Sequence, residues 1–105
     1  MHIQIINFNL KGVSERDYGK LCDDLAPAFA NLPGLLAKVW LADPGRNTFG
    51  GVYMWQDRGA MEEFAKTELF RSVATHPNLA NITSTDFTVM EGPTRVTRGL
   101  VEVRV

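Results

Sequence analysis

The stretch "LLAKVWLADPGRNTFGGVYMWQD", residues 35–57, reads as two strands folded back on one another. Along residues 35–43, Leu35, Ala37, Val39 and Leu41 fall on one side, and Leu36, Lys38 and Trp40 on the other. "DPGRN", residues 43–47, is dense in turn formers and connects that strand to the next as a hairpin. Along residues 49–57, alternation groups Phe49, Gly51, Tyr53 and Trp55 opposite Gly50, Val52 and Met54. Each face therefore has a gap beside bulky side chains. Such glycines permit a bulge or the close approach of a neighbour or ligand.

The chain on either side repeats a strand and a helix. "HIQIINFNL", residues 2–10, alternates Ile3, Ile5, Asn7 and Asn9 against Ile6, Phe8 and Leu10. Ser14 then caps a helix, with Asp17 placed to reach back as a short form of the capping box. Tyr18, Leu21, Cys22, Leu25, Phe29 and Leu32 recur at helical spacing, and "NLPG", residues 31–34, ends the helix. Pro27 lies inside it and predicts a kink or break near Leu25. On the other side of the hairpin, Asp57 caps a second helix with Met61, Phe64, Ala65, Leu69, Phe70 and Val73 on its inner side. Thr67 marks a break in it, and Pro77 closes it after His76. Residues 83–92 read as a fourth strand and 93–99 as a linker. Residues 100–105, with alternating Val101, Val103 and Val105, suit an added or exchanged fifth strand.

The order strand, helix, strand, strand, helix, strand is the split β-α-β arrangement of a ferredoxin-like α+β sheet. It predicts one domain over residues 1–105, with a four-stranded antiparallel sheet and an extra C-terminal strand. Two helices cover one sheet face. Lys38 with Trp40, and Tyr53 with Trp55, read as the face left exposed, which is too aromatic to stay wet. A second copy of the same sheet would cover it, giving a homodimer with an enclosed space between the sheets or beside the helices.

Eleven basic and twelve acidic residues give a net charge of −1, which argues against nucleic acid or an anionic membrane as the main partner. The single cysteine, Cys22, forms no internal disulfide and reads as a small buried hydrophobe. No apolar run approaches the roughly 20 residues of a membrane helix. Together with an N-terminus that runs straight into a strand, these features predict a cytoplasmic protein. Histidines at 2 and 76 and one cysteine make no metal-ligand spacing, and no nucleotide-binding glycine motif is present.

The residues that can do chemistry are Asn7 and Asn9 as amide donors, Lys38 as a cation, and Trp40 and Trp55 as indole donors and walls. Tyr53 adds a phenolic donor and His76 a base. Each also has a plain structural use. The rings serve a core, the asparagines bond locally to backbone, Lys38 is an edge charge, and His76 suits a helix end.

"LAPAFANLPGLLAKVWLADP" (25–44), "TFGGVYMWQDRGAMEEF" (48–64), "ATHPNL" (74–79) and "DFTVMEGPTRVTRG" (86–99) resemble the monooxygenase family of the YdhR type, in the dimeric α+β barrel superfamily. The resemblance implies a homodimer and cofactor-independent oxidation, by molecular oxygen, of an aromatic, polycyclic phenol or quinone-forming molecule. Asn9, Tyr53 and His76 are then the catalytic candidates. Asn7, Lys38, Trp40, Trp55 and Phe64 are the substrate-binding candidates. Superfamily members that degrade haem use an asparagine on the first strand with a tryptophan and a histidine on the second helix. Here Phe64 and Ala74 stand at the latter two positions, and His76 is turned about 200° around the helix from where that histidine belongs. That departure points away from haem. The alternative to an enzyme is a non-catalytic ligand-binding or structural dimer module.

Overall fold

A computed structural model describes residues 1–99; the expected strand at 100–105 lies outside them. The elements are β1 (His2–Leu10), α1 (Glu15–Ala30), β2 (Leu35–Asp43), β3 (Thr48–Trp55), α2 (Arg58–Phe64), α3 (Glu68–Ala74), β4 (Leu79–Thr88) and α4 (Glu91–Val96). The strands form one antiparallel sheet in the order β2-β3-β1-β4, which is the ferredoxin-like topology.

Local chemistry sets the helix boundaries. The Ser14 side chain accepts from the Asp17 amide at 3.1 Å, Asp57 from Ala60 at 2.8 Å, and Thr67 from Phe70 at 3.1 Å. Each satisfies an amide that has no partner within its own helix. Thr67 also donates to the Phe64 carbonyl at 2.7 Å, so it closes α2 and opens α3. The expected break therefore falls where the sequence places it. The break near Leu25 does not occur: α1 runs from Glu15 to Ala30 with Pro27 inside it. Pro27 and Asp23, whose carbonyl loses its usual donor, are both exposed, so water replaces the missing bond.

Two other boundaries differ from the sequence reading. β4 runs from Leu79 to Thr88 rather than over residues 83–92: Asn81 adopts φ 54° at an irregularity in the β1–β4 pairing and hides the start of the strand pattern, and Glu91 and Gly92 open a helix instead. The segment expected as a linker contributes to α4, where Pro93 occupies the first turn and needs no amide donor.

The helices cover the face carrying His2, Gln4, Ile6 and Phe8 of β1 and Phe49, Tyr53 and Trp55 of β3. Trp55 is fully buried, stacked on Tyr53 at 5.9 Å between ring centroids, and its Nε1 donates to Gln4 Oε1 at 3.0 Å. Gln4 in turn donates to Ser84 at 3.0 Å, so the polar atoms under the helices are paired. By the strand register Lys38 lies opposite Tyr53 and Trp40 opposite Gly51, which places both on this same covered face. This corrects the expectation that Lys38, Trp40, Tyr53 and Trp55 line the exposed face. Both faces of the sheet are apolar, and the helices take the aromatic one. The open face is mainly aliphatic instead, with Ile3, Ile5, Val39, Leu41, Val52 and Met54 beside one ring, Phe87. Val39 and Phe87 are each 59% exposed there.

The paired glycines have separate causes. At Gly50, φ is +149° and a Cβ would sit 1.9 Å from the Ile6 carbonyl oxygen, so β1 backbone fills the gap. At Gly51, a Cβ would lie 2.9 Å from Lys38 Cε. The gap on the covered face is the slot through which the Lys38 side chain passes.

Candidate active site

A cavity of about 40 Å³ lies between the sheet and the helices α1 and α3. Its walls are mainly apolar, with Phe8, Leu21, Leu25 and Phe29 prominent, and its polar groups come from Tyr18, Cys22, Lys38, Tyr53, Ser72 and His76. The strands and helices fixed by the core supply all of these groups except His76, which comes from the short connection between α3 and β4. The volume admits water or dioxygen but is well below the ~300 Å³ of an ordinary ligand pocket. Trp40 is 37% exposed on the edge strand and also borders two outer grooves, of about 260 and 560 Å³. It stands as a partition between these grooves and the cavity.

Lys38 is the unusual member. Its Nζ lies 3.3 Å from the ring centroid of Phe29, 3.4 Å from that of Trp40 and 4.6 Å from that of Tyr53. Lysines on edge strands ordinarily extend their ammonium into water. This one is turned inward over Gly51, and among the described residues it forms no ion pair. Burial pushes its pKa down to about 7, opposed by the neighbouring Cys22. The ring faces attract the ammonium and also oppose that shift.

The hydroxyls and the thiol move the other way. Burial raises Tyr53 well above the usual phenol range, and burial followed by contact with Cys22 does the same to Tyr18. Burial likewise raises Cys22, against the lowering influences of Tyr18 and Lys38. All three stay protonated at neutral pH, so the tyrosines are donors and the thiol is inert as a nucleophile. The His76 Nδ1 accepts from the Asn78 amide at 3.1 Å, which places the hydrogen of the neutral ring on Nε2. Ser72 donates to the Leu69 carbonyl at 2.7 Å.

Four of the sequence candidates, Lys38, Trp40, Tyr53 and His76, thus meet at one cavity. Four do not. Asn7 and Asn9 lie on the opposite face of β1, where Asn7 donates to the Phe49 carbonyl at 3.4 Å and Asn9 to the Asn47 carbonyl at 2.7 Å. Asn9 also accepts from Asn81 at 2.9 Å, which leaves it fastening the sheet rather than facing the cavity. Trp55 and Phe64 are buried in the core, 5.2 Å apart between ring centroids, and neither lines the cavity. Tyr18, Cys22 and Phe29 were not singled out for chemistry, although the helical spacing that makes them one stripe was visible.

Fold and cavity together define a class: a ferredoxin-like α+β protein with a small site between its sheet and its helices. The chain belongs to the family described as "Putative mono-oxygenase ydhR", matched over residues 3–100. No curated protein matches it in sequence. Among solved structures, it is similar to a protein described as a "putative antibiotic biosynthesis monooxygenase" of Deinococcus radiodurans at 18% identity and TM-score 0.72, over 88% of this chain and 95% of that one. It is similar to SnoaB, a cofactor-independent oxygenase from Streptomyces nogalater, at 18% identity and TM-score 0.67, over 86% and 94%. It also resembles the heme-degrader MhuD of Mycobacterium tuberculosis, with two hemes in its active site, at 20% identity and TM-score 0.68, over 86% and 96%. Likeness at this level establishes the fold.

The residues of this cavity do not fit a haem. The strand position facing it from β1 is Phe8 rather than Asn7 or Asn9, and the Nδ1 of its histidine is already engaged by a backbone amide. Among the described residues no three His, Cys, Asp or Glu side chains gather in a set that could hold a metal ion. No helix among them is long and apolar enough to cross a membrane.

Proposed function

We propose that the protein is a cofactor-independent monooxygenase of a small phenolic or quinone-forming aromatic, working as a homodimer. The observation that supports this most is the convergence of an amine, a neutral phenol and an imidazole on one apolar cavity. A substrate of this kind supplies its own electrons. Once deprotonated, its electron-rich anion passes an electron to dioxygen, the resulting pair recombines at a ring carbon, and the hydroperoxide loses water to leave a quinone. For 1-naphthol the balance is naphthol plus dioxygen giving 1,4-naphthoquinone plus water. The protein has to hold the ring, move one proton and stabilise charge. On this reading the Tyr53 hydroxyl donates to the substrate oxygen, and His76, which lines the same space with its hydrogen on Nε2, is a second donor. The cavity is partly open, and the outer grooves that border Trp40 extend the space available to a ring.

The aliphatic open face supports the dimer, because seven apolar side chains there would otherwise meet water. A second copy laid across it buries Val39 and Phe87.

The small volume favours a second reading, a non-catalytic module that binds a small apolar molecule. An oxygen electrode separates the two. The metal-stripped, flavin-free protein should consume oxygen with 1-naphthol or a polycyclic hydroquinone faster than the spontaneous rate, and Tyr53→Phe and His76→Ala should each slow it about tenfold or more. No uptake across a panel of such phenols, with binding retained, would leave the module reading in place.

A further inference from the structure

We propose that Lys38 is the base of this site: its neutral amine takes the proton of an acidic phenol or enol, and the ammonium then remains in the ring cage beside the anion. The inference rests on the oxygenase reading only for its substrate class.

Geometry singles out this residue. A lysine on an edge strand has water within reach, yet here the chain runs inward through a slot that only a glycine leaves open, and its end is placed among Phe29, Trp40 and Tyr53. That is an arrangement for holding an ammonium without a carboxylate. A carboxylate in contact would keep the amine protonated and useless as a base. The titratable groups that share the cavity wall are Tyr18 and Cys22 from α1, Tyr53 from β3 and His76 after α3. The tyrosines and the thiol keep their own hydrogens, and His76 has its unprotonated nitrogen occupied by the Asn78 amide. Ser72 is spent on a backbone carbonyl. The free lone pair on this wall at neutral pH is that of Lys38, which burial holds partly deprotonated there.

The step balances within the pair. The phenol O–H bond breaks, its electron pair stays on the oxygen, and an N–H bond forms at Lys38 Nζ. A neutral amine and a neutral phenol become an ammonium and a phenolate, so the cavity gains no net charge. The ammonium and the Tyr53 donor together stabilise the anion, and this is what drives the transfer from a phenol that in water is a weaker acid than this ammonium. Tyr53 then completes the site by donating to the phenolate oxygen.

The test uses 1-naphthol under anaerobic conditions, where nothing turns over, and reads its absorption, which differs between phenol and phenolate. At pH 8, where free 1-naphthol is mainly the phenol, the naphthol bound to wild type should show the phenolate spectrum. In Lys38→Met it should show the phenol spectrum and bind about tenfold or more weakly, as expected for loss of an enclosed charge pair. Binding to wild type should fall as pH drops below about 7. In the wild-type protein alone, the Nζ resonance of Lys38 followed by nitrogen-detected NMR should titrate far below that of an ordinary lysine. A bound naphthol that stays neutral, an unchanged spectrum in Lys38→Met, no binding at all, or an Nζ that titrates as in a free peptide each overturns the assignment. The two readings fail separately. Phenolate bound by Lys38 without oxygen uptake in air would keep the base and remove the oxygenase. Uptake undiminished in Lys38→Met would do the reverse.

Discussion

Gly50 and Gly51 are adjacent and identical, yet their substitutions should behave differently. Gly50→Ala sets a methyl group against the Ile6 carbonyl in a backbone region that L side chains rarely adopt, and should cost about 3 kcal/mol or more in urea unfolding. Gly51→Ala meets the flexible Lys38 chain at 2.9 Å and the Val39 carbonyl oxygen less severely at 3.3 Å, so it should destabilise by about 1–2 kcal/mol and expel the amine to solvent. Lys38 also leaves a signature on stability. Its folded pKa, about 7, is depressed from 10.5, so the stability associated with the neutral amine is complete above about pH 10.5 and is lost as pH falls towards 7. Resistance to urea should therefore rise between about pH 7 and 9. Above that, Cys22, Tyr18 and Tyr53, whose values are raised, work in the opposite direction and stability should turn down. Lys38→Met should abolish the rise and keep the fall; a rise of equal slope in both proteins would show that another group causes it.

At the scale of elements, α1 shows what propensity can and cannot decide. Its cap at Ser14 and its apolar stripe were legible, and the interruption at Pro27 was not realised because the orphaned carbonyl faces water. Pro27→Ala should restore a backbone bond and stabilise the protein by about 1 kcal/mol, less than the ~3 kcal/mol propensity difference because the freed unfolded chain gains entropy. The site was legible in part for a related reason. Lys38, Trp40 and Tyr53 sit on strands, where alternation fixes which side chains share a face. Tyr18, Cys22 and Phe29 come from a helix whose rotation is set by packing, so their stripe could be read but its target could not. Alternation along β1 and β3 was also correct. Which face the helices would cover was not readable, since an aromatic and an aliphatic face compete and polar His2 and Gln4 lie on the covered one. Asn7 and Asn9 lie away from this cavity on that account: they share the side of Ile3 and Ile5.

For the whole molecule, the proposed chemistry lies on the covered face and the proposed association on the open one. Val39→Asp combined with Phe87→Lys should convert the proposed dimer to monomer in sedimentation while leaving the helix content by circular dichroism unchanged. An unchanged sedimentation coefficient would place the interface elsewhere or remove it. Balanced charge over the whole chain fits this proposal, in which the ligand is recognised by its ring and its proton rather than by a charged surface. The account as a whole depends on oxygen reaching the product from dioxygen with only this chain as catalyst. The most direct measurement is therefore mass spectrometry of naphthoquinone formed from 1-naphthol by metal-stripped protein under heavy-oxygen dioxygen. One labelled oxygen per quinone, formed faster than without protein, is the predicted result; quinone formed no faster than in buffer, or only after a metal or flavin is added, would contradict it.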